Sequence, residues 1–270
     1  MRLTGASMSG IGTCLVARDY KLVLDLGYCS PEAVKYQDVL ITHAHIDHLA
    51  GAASHAATRD LRKLTPSRFI CHPEVGKPLG EMLALWHRMQ GQFNFEIVYL
   101  SPGQTHQLTG NRFVKAFQTF HRLPSQGYIL YETKKKLKPE YYPLIGSPEK
   151  LAALVRDGFQ VNDVIEAPLL AYTGDTTYEA LENPDVQAAK VLIAECTFVG
   201  SDQTVEQARA KGHTHLQELR ERVEGRTCED LYLCHFSDRY SKAEITAAVN
   251  EGMQATATLM LDSEGPVRWE

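Results

Sequence analysis

No Cys-x-x-Cys pair occurs in this chain. Its six cysteines, Cys14, Cys29, Cys71, Cys196, Cys228 and Cys234, are scattered, most of them inside apolar runs. That is not a disulfide framework, so a reducing cytoplasm is the expected location. No apolar run approaches the roughly 20 residues that a membrane-spanning helix needs, and Met1–Ser7 has no signal-peptide core. Excess positive charge is missing too. Twenty-eight Lys and Arg against 33 Asp and Glu leave a net charge of −5, which argues against nonspecific nucleic-acid binding over the whole surface while leaving room for a local basic patch. Repeats, low-complexity tracts and interdomain linkers are also lacking, so the 270 residues are expected to form one domain, 1–270, of α/β type.

What the chain does have is a series of short apolar runs, each followed by a polar residue. Leu22–Gly27, Asp38–Thr42, Arg68–Cys71, Val114–Phe120, Gly127–Tyr131, Leu169–Tyr172, Val191–Ala194 and Leu231–Cys234 read as strands. Helical spacing marks Pro73–Gln90, and helices are also expected at Ser147–Arg156, Thr204–Lys211, Leu216–Val223 and Ser241–Asn250, with Thr214 and Ser241 as N-caps. Lys134-Lys135-Lys136-Leu137-Lys138-Pro139 is the one local shift in composition and reads as a solvated loop or a substrate grip.

The most informative segment is His43-Ala44-His45-Ile46-Asp47-His48, just past the buried run Asp38–Thr42. Four side chains that bind divalent cations fall within six residues. On a turn leaving a strand, His43 and His45 can grip one metal, and Asp47 and His48 a second. Three further strands end in a polar residue of the same chemistry: His121, Asp175 and His235. Ligands at one edge of packed sheets make a rigid site. Imidazole and carboxylate suit Zn2+, and Mn2+ or Fe2+ share such ligands.

These residues resemble the ligand series of the metallo-β-lactamase fold and, within it, the tRNase Z family of tRNA 3′-end endonucleases. The likeness rests on His43–His48, His121, Gly174-Asp175-Thr176-Thr177, Glu195-Cys196-Thr197-Phe198, Gly212-His213-Thr214-His215 and His235-Phe236-Ser237-Asp238-Arg239-Tyr240. Ser125-Gln126-Gly127-Tyr128 and Lys136–Tyr141 resemble the short, plant-type enzymes in particular. The resemblance covers about Leu22 to Asn250 and implies an αββα sandwich of two mixed sheets flanked by helices.

It also implies roles. His43, His45 and His121 would hold one zinc, Asp47, His48 and His235 the other, and Asp175 would bridge both. His213 would be the proton donor, with His215 as its rival two residues away. By their own chemistry, Glu195 would orient His213, Arg239 would contact phosphate or form a structural ion pair, and Asp25 would support the site without binding metal. The implied substrate is precursor tRNA and the implied assembly a homodimer. The segment between His121 and Asp175 is too short for the long Gly/Pro-rich arm of many bacterial members. That departure keeps a small-molecule or cyclic-nucleotide phosphodiesterase as the alternative.

Overall fold

The computed structural model describes residues 1–225, 228–253 and 257–261. Fourteen strands are found among them: β1 Leu3–Ser9, β2 Gly12–Ala17, β3 Leu22–Leu24, β4 Asp38–Leu40, β5 Ser67–Cys71, β6 Phe95–Tyr99, β7 Thr105–Gln107, β8 Arg112–Gln118, β9 Gln126–Leu137, β10 Asn162–Tyr172, β11 Val191–Glu195, β12 Asp230–Cys234, β13 Phe236–Ser237 and β14 Thr258–Leu259. They form two seven-stranded sheets, ordered β13-β1-β2-β3-β4-β5-β6 and β14-β12-β11-β10-β9-β8-β7. Both are mixed: β3 through β6 run parallel, as do β10, β11, β12 and β14, while the remaining pairs except β1–β13 are antiparallel.

The helices are α1 Ile46–Leu49, α2 Ala52–Leu61, α3 Pro73–Gln90, α4 Pro148–Arg156, α5 Pro184–Ala188, α6 Val205–Ala210, α7 Leu216–Val223 and α8 Lys242–Gly252. Strand periodicity divides the core into layers. Leu15 and Ala17 of β2 face inward with Tyr128 and Leu130 of β9 and Ile193 of β11, filling the space between the sheets. Their neighbours Cys14 and Val16 point the other way, against Ala52 and Ala56 of α2 and Val75, Leu79 and Leu83 of α3. Ile129, Leu192 and Ala194 cover the outer face of the second sheet, packed on α7 and α8 through Leu216, Leu219, Ile245 and Val249. The result is the four-layer αββα sandwich.

Two fully buried tyrosines tie the sheets together near one edge. The Tyr128 hydroxyl lies 2.7 Å from the carbonyl of Ile41 and 2.8 Å from that of Ile70. The Tyr172 hydroxyl donates to Asp25 Oδ2 at 2.6 Å. Both reach from the second sheet to strand ends of the first.

Two local expectations are corrected. Lys134–Leu137 is strand, not loop: it pairs with Asn162–Ile165 in a two-stranded ribbon that runs past the end of β8. The N-cap of α7 is His215, whose Nδ1 accepts from the Gln217 amide at 3.1 Å. Thr214 is drawn elsewhere, its hydroxyl donating to the Thr176 carbonyl at 2.8 Å. Ser241 caps α8 through a reciprocal capping box with Glu244.

His55 on α2 is a core histidine, fully buried. Its Nδ1 lies 2.8 Å from Ser67 Oγ, and its Nε2 3.1 Å from the Ala33 carbonyl. Burial pushes its pKa down to about 4. Because the folded value lies below the free one of about 6.5, the unfolded chain takes up the proton first. The stabilisation is therefore full above about pH 6.5 and is lost as pH falls toward 4. Between pH 7 and pH 5 this group is expected to remove about 2 kcal/mol from the unfolding free energy. Urea titrations at the two pH values are expected to show a shallower decline for His55→Gln, and equal declines would contradict the assignment.

Candidate metal centre

All seven side chains singled out as ligands meet at one edge of the sandwich. His43 to His48 leave the C-terminal end of β4, Asp175 follows β10, and His235 follows β12. His121 lies in the β8–β9 turn, at the end of β9 that pairs with the exit of β10. The chain turns sharply there. Asp25, Gly174 and His235 have φ of 54°, 58° and 60°, in the left-handed region, and the two non-glycine residues each cost on the order of 1–3 kcal/mol. At Gly174 a Cβ would lie 2.5 Å from Thr42 Cγ2, so only glycine lets this turn approach the His43 loop.

The ligand atoms of His43, His45, His121 and Asp175 lie within 4.8 Å of one another, as do those of Asp47, His48 and His235. Asp175 touches both groups: Oδ1 is 3.4 Å from His48 Nε2, while Oδ2 is 3.3 Å from His235 Nε2 and 3.6 Å from His43 Nε2.

Hydrogen bonds behind the rings decide which nitrogen faces inward. Thr42 donates its hydroxyl to Asp25 Oδ2 at 2.8 Å, so its oxygen accepts from His43 Nδ1 at 3.0 Å. Thr197 donates to Glu195 Oε2 at 2.8 Å and accepts from His235 Nδ1 at 3.0 Å. His48 Nδ1 donates to Asp25 Oδ2 at 2.8 Å, and His121 Nδ1 to the Gly212 carbonyl at 2.8 Å. Each of these four rings therefore carries its proton on Nδ1 and turns an Nε2 lone pair toward the centre.

The inward-facing ring nitrogens converge. His48 Nε2 and His235 Nε2 are 3.2 Å apart, and His45 Nδ1 lies 2.9 Å from His43 Nε2 and 3.2 Å from His121 Nε2. A tetrahedron of radius roughly 2.1 Å, the zinc–nitrogen distance, has edges of about 3.4 Å. Asp175 Oδ1 is buried without any hydrogen-bond partner, a state that costs a carboxylate on the order of several kcal/mol unless a cation supplies the missing interaction. These donors fit divalent metal.

The electrostatics agree. Burial pushes the His43, His45 and His121 pKa values down, keeping the imidazoles neutral. Burial would raise the carboxyls of Asp175 and Asp47, but His235 and His48 outweigh it and hold both well below the usual range. Burial likewise opposes charge on His48, yet Asp175, Asp25 and Asp47 raise it to about 9. Three carboxylates around one ring create a field that attracts positive charge, as a proton or as a metal ion.

Beside this centre, His213 Nδ1 lies 3.0 Å from Glu195 Oε1, and its ligand atom groups with those of Asp175 and His235. Burial lowers its pKa, but Glu195 more than offsets this and the net shift is upward. Glu195 is itself buried and also accepts from the amides of Thr176, Thr197 and Thr214. His215 points away, its Nε2 3.2 Å from the Gly200 carbonyl. Arg239 forms an ion pair with Asp202 at 3.0 Å and donates to Ser237 Oγ at 3.0 Å. Asp47 is partly exposed, and Oδ2 accepts from the Gly10 amide at 2.8 Å.

Sequence reasoning did not find Thr42, Thr197, Tyr172 or the Gly212 carbonyl. Thr42 precedes His43 and Thr197 follows Glu195 by two, but nothing in that spacing reveals which ring each hydroxyl meets.

A family profile described as a beta-lactamase superfamily domain matches residues 28–139. The crystal structure of the short form of human tRNase Z superposes with a TM-score of 0.60 at 20% identity, over 97% of each chain, which speaks to the fold alone. In sequence the chain is 34% identical to tRNase Z TRZ1 of Arabidopsis thaliana over 92% of this chain and 89% of that one. It is 36% identical to the chloroplastic tRNase Z TRZ2 of the same plant, over 92% and 70%. With the two mixed sheets and the clustered histidines and aspartates already in place, this likeness means that the chain belongs to the tRNase Z family.

Proposed function

We propose that this protein is a zinc-dependent endoribonuclease that removes the 3′ trailer of precursor tRNA. The observation that carries the reading is the carboxylate of Asp175, set between two groups of converging imidazoles in a chain of this family. His43, His45 and His121 would hold one ion and Asp47, His48 and His235 the other, with Asp175 within reach of both groups. Bound divalent ions lower the pKa of water and neutralise charge gathering on the phosphate.

The protein side chains supply the rest. His213 keeps its Nδ1 proton on Glu195, and the raised pKa lets Nε2 carry a second proton toward the centre. Nε2 is then placed to protonate the departing ribose oxygen. Asp47, fixed by the Gly10 amide, orients the attacking water. Arg239 contacts a neighbouring phosphate, and the exposed Lys135 and Lys136 on the β9–β10 ribbon attract the RNA backbone. A homodimer belongs to the same proposal. Six free cysteines suit a reducing compartment such as the cytoplasm, with a plastid as the alternative because TRZ2 is chloroplastic. Among the described residues no helix is long and apolar enough to cross a membrane.

Purified protein with zinc or manganese is expected to cut a trailer-bearing precursor tRNA to a product with a 3′-hydroxyl near the discriminator base. Absence of cleavage rejects the reading. If tRNA does not compete with bis(p-nitrophenyl) phosphate, a small phosphodiester is the substrate instead. Asp175→Ala is expected to abolish turnover. His213→Ala is expected to keep its metal and slow cleavage by about 10²–10⁴-fold; loss of metal in that variant contradicts the division of labour. Asp25→Asn replaces the acceptor behind His43 and His48, and metal affinity is expected to fall by about 10–100-fold. Unchanged affinity in a competitive chelator titration would show that the carboxylate does not tune the ligands.

A further inference from the structure

The opposite edge of the sandwich holds a second polar cavity, of about 310 Å³. Its walls come from the turn before β3, the segment leading into β4, α2 and the β7–β8 turn, and they include Tyr20, Lys21, Lys35, Tyr36, Arg59 and Arg112. Asp38 opens β4 at this cavity and His43 follows its far end, so roughly 15 Å of strand separates the cavity from the metal centre.

Positive charge there is only partly matched. Asp38 is the one carboxylate in the wall, and it is committed to Arg68 at 2.9 Å. Lys35 pairs with Glu32. Arg112 is 3.9 Å from Glu132, beyond hydrogen-bond reach, its one side-chain hydrogen bond among the described residues goes to the neutral Asp19 carbonyl at 3.4 Å, and its guanidinium lies over the Tyr20 ring at 5.2 Å. The Lys21 amide donates to the Arg18 carbonyl at 3.2 Å, while its ammonium has no hydrogen bond or ion pair among the described residues. Arg59 is 2% exposed, yet its recorded partners are all neutral: the carbonyls of Thr65 and Val34 and the Thr65 hydroxyl. Buried cations are ordinarily paired.

Backbone strain adds an independent sign. Lys21 closes the four-residue β2–β3 turn with φ of 59°, a position that favours glycine or asparagine. A lysine there costs on the order of 1 kcal/mol, and such strain collects where a side chain is used.

We propose that this cavity binds a mononucleotide, its phosphate on Lys21, Arg59 and Arg112 and its base against the rings of Tyr20 and Tyr36. Cations supply the charge-assisted bonds and the aromatic walls supply the stacking face. The site is separate from the metal centre and does not depend on the reaction proposed for it.

Isothermal titration with AMP, inorganic phosphate and adenosine tests this on the metal-loaded protein and on Asp175→Ala. AMP is expected to bind one per chain, more tightly than phosphate or adenosine, and equally well to Asp175→Ala. Lys21→Gly removes the charge while relieving the turn, so its melting temperature is expected to hold or rise while AMP affinity falls by about tenfold or more. Arg112→Gln is expected to weaken AMP by a similar factor. The proposal is overturned if AMP does not saturate at millimolar concentration, if phosphate binds as tightly as AMP, if binding disappears in Asp175→Ala, or if Lys21→Gly and Arg112→Gln bind as the parent does.

Discussion

Two buried carboxylates, Asp25 and Glu195, set the proton pattern of three ligand rings and of His213. Each accepts a threonine hydroxyl that in turn accepts from a histidine: Thr42 and His43 behind Asp25, Thr197 and His235 behind Glu195. Each also receives a second histidine directly, His48 on Asp25 and His213 on Glu195. With the outward nitrogens of His43, His48, His121 and His235 held by these acceptors and by the Gly212 carbonyl, the inward nitrogens of the ligand rings crowd to about 3 Å from one another. That arrangement is unfavourable alone and favourable around cations, so the acceptors behind the rings select for metal before any ion arrives.

The sandwich exists to hold this arrangement still. Asp25 follows β3 in one sheet and Glu195 ends β11 in the other. Tyr172 reaches across from β10 to Asp25, and Tyr128 crosses to the carbonyls beside β4 and β5. The hydrophobic layer between the sheets brings the edges together, and these hydroxyls fix their separation. Packed apolar layers are insensitive to small slides, whereas hydrogen bonds of 2.6–2.8 Å are not.

Much of this was legible in the chain. The His43–His48 run needs only local geometry, and the strands that deliver Asp175 and His235 are apolar runs of ordinary length. Other parts left no local trace. Leu3–Ser9 and Gly12–Ala17 are strands without a strong apolar alternation, held by pairing to each other and to β3. The lysine run reads as loop because a ribbon exposed on both faces has no hydrophobic period to display. Thr214 has the better capping side chain, but its hydroxyl serves the loop after Asp175, and His215 caps α7 instead. The threonine bridges depend on two distant strand ends meeting, which no spacing along the chain records.

The most direct test is metal stoichiometry. Protein purified without chelator and dialysed free of loose ions, then measured by inductively coupled plasma mass spectrometry, is predicted to carry two transition-metal ions per chain. The parallel Asp175→Ala sample is predicted to hold fewer. A parent protein that binds none under saturating zinc would contradict the account, because the converging ring nitrogens and the unpaired Asp175 oxygen would then have no cation to face.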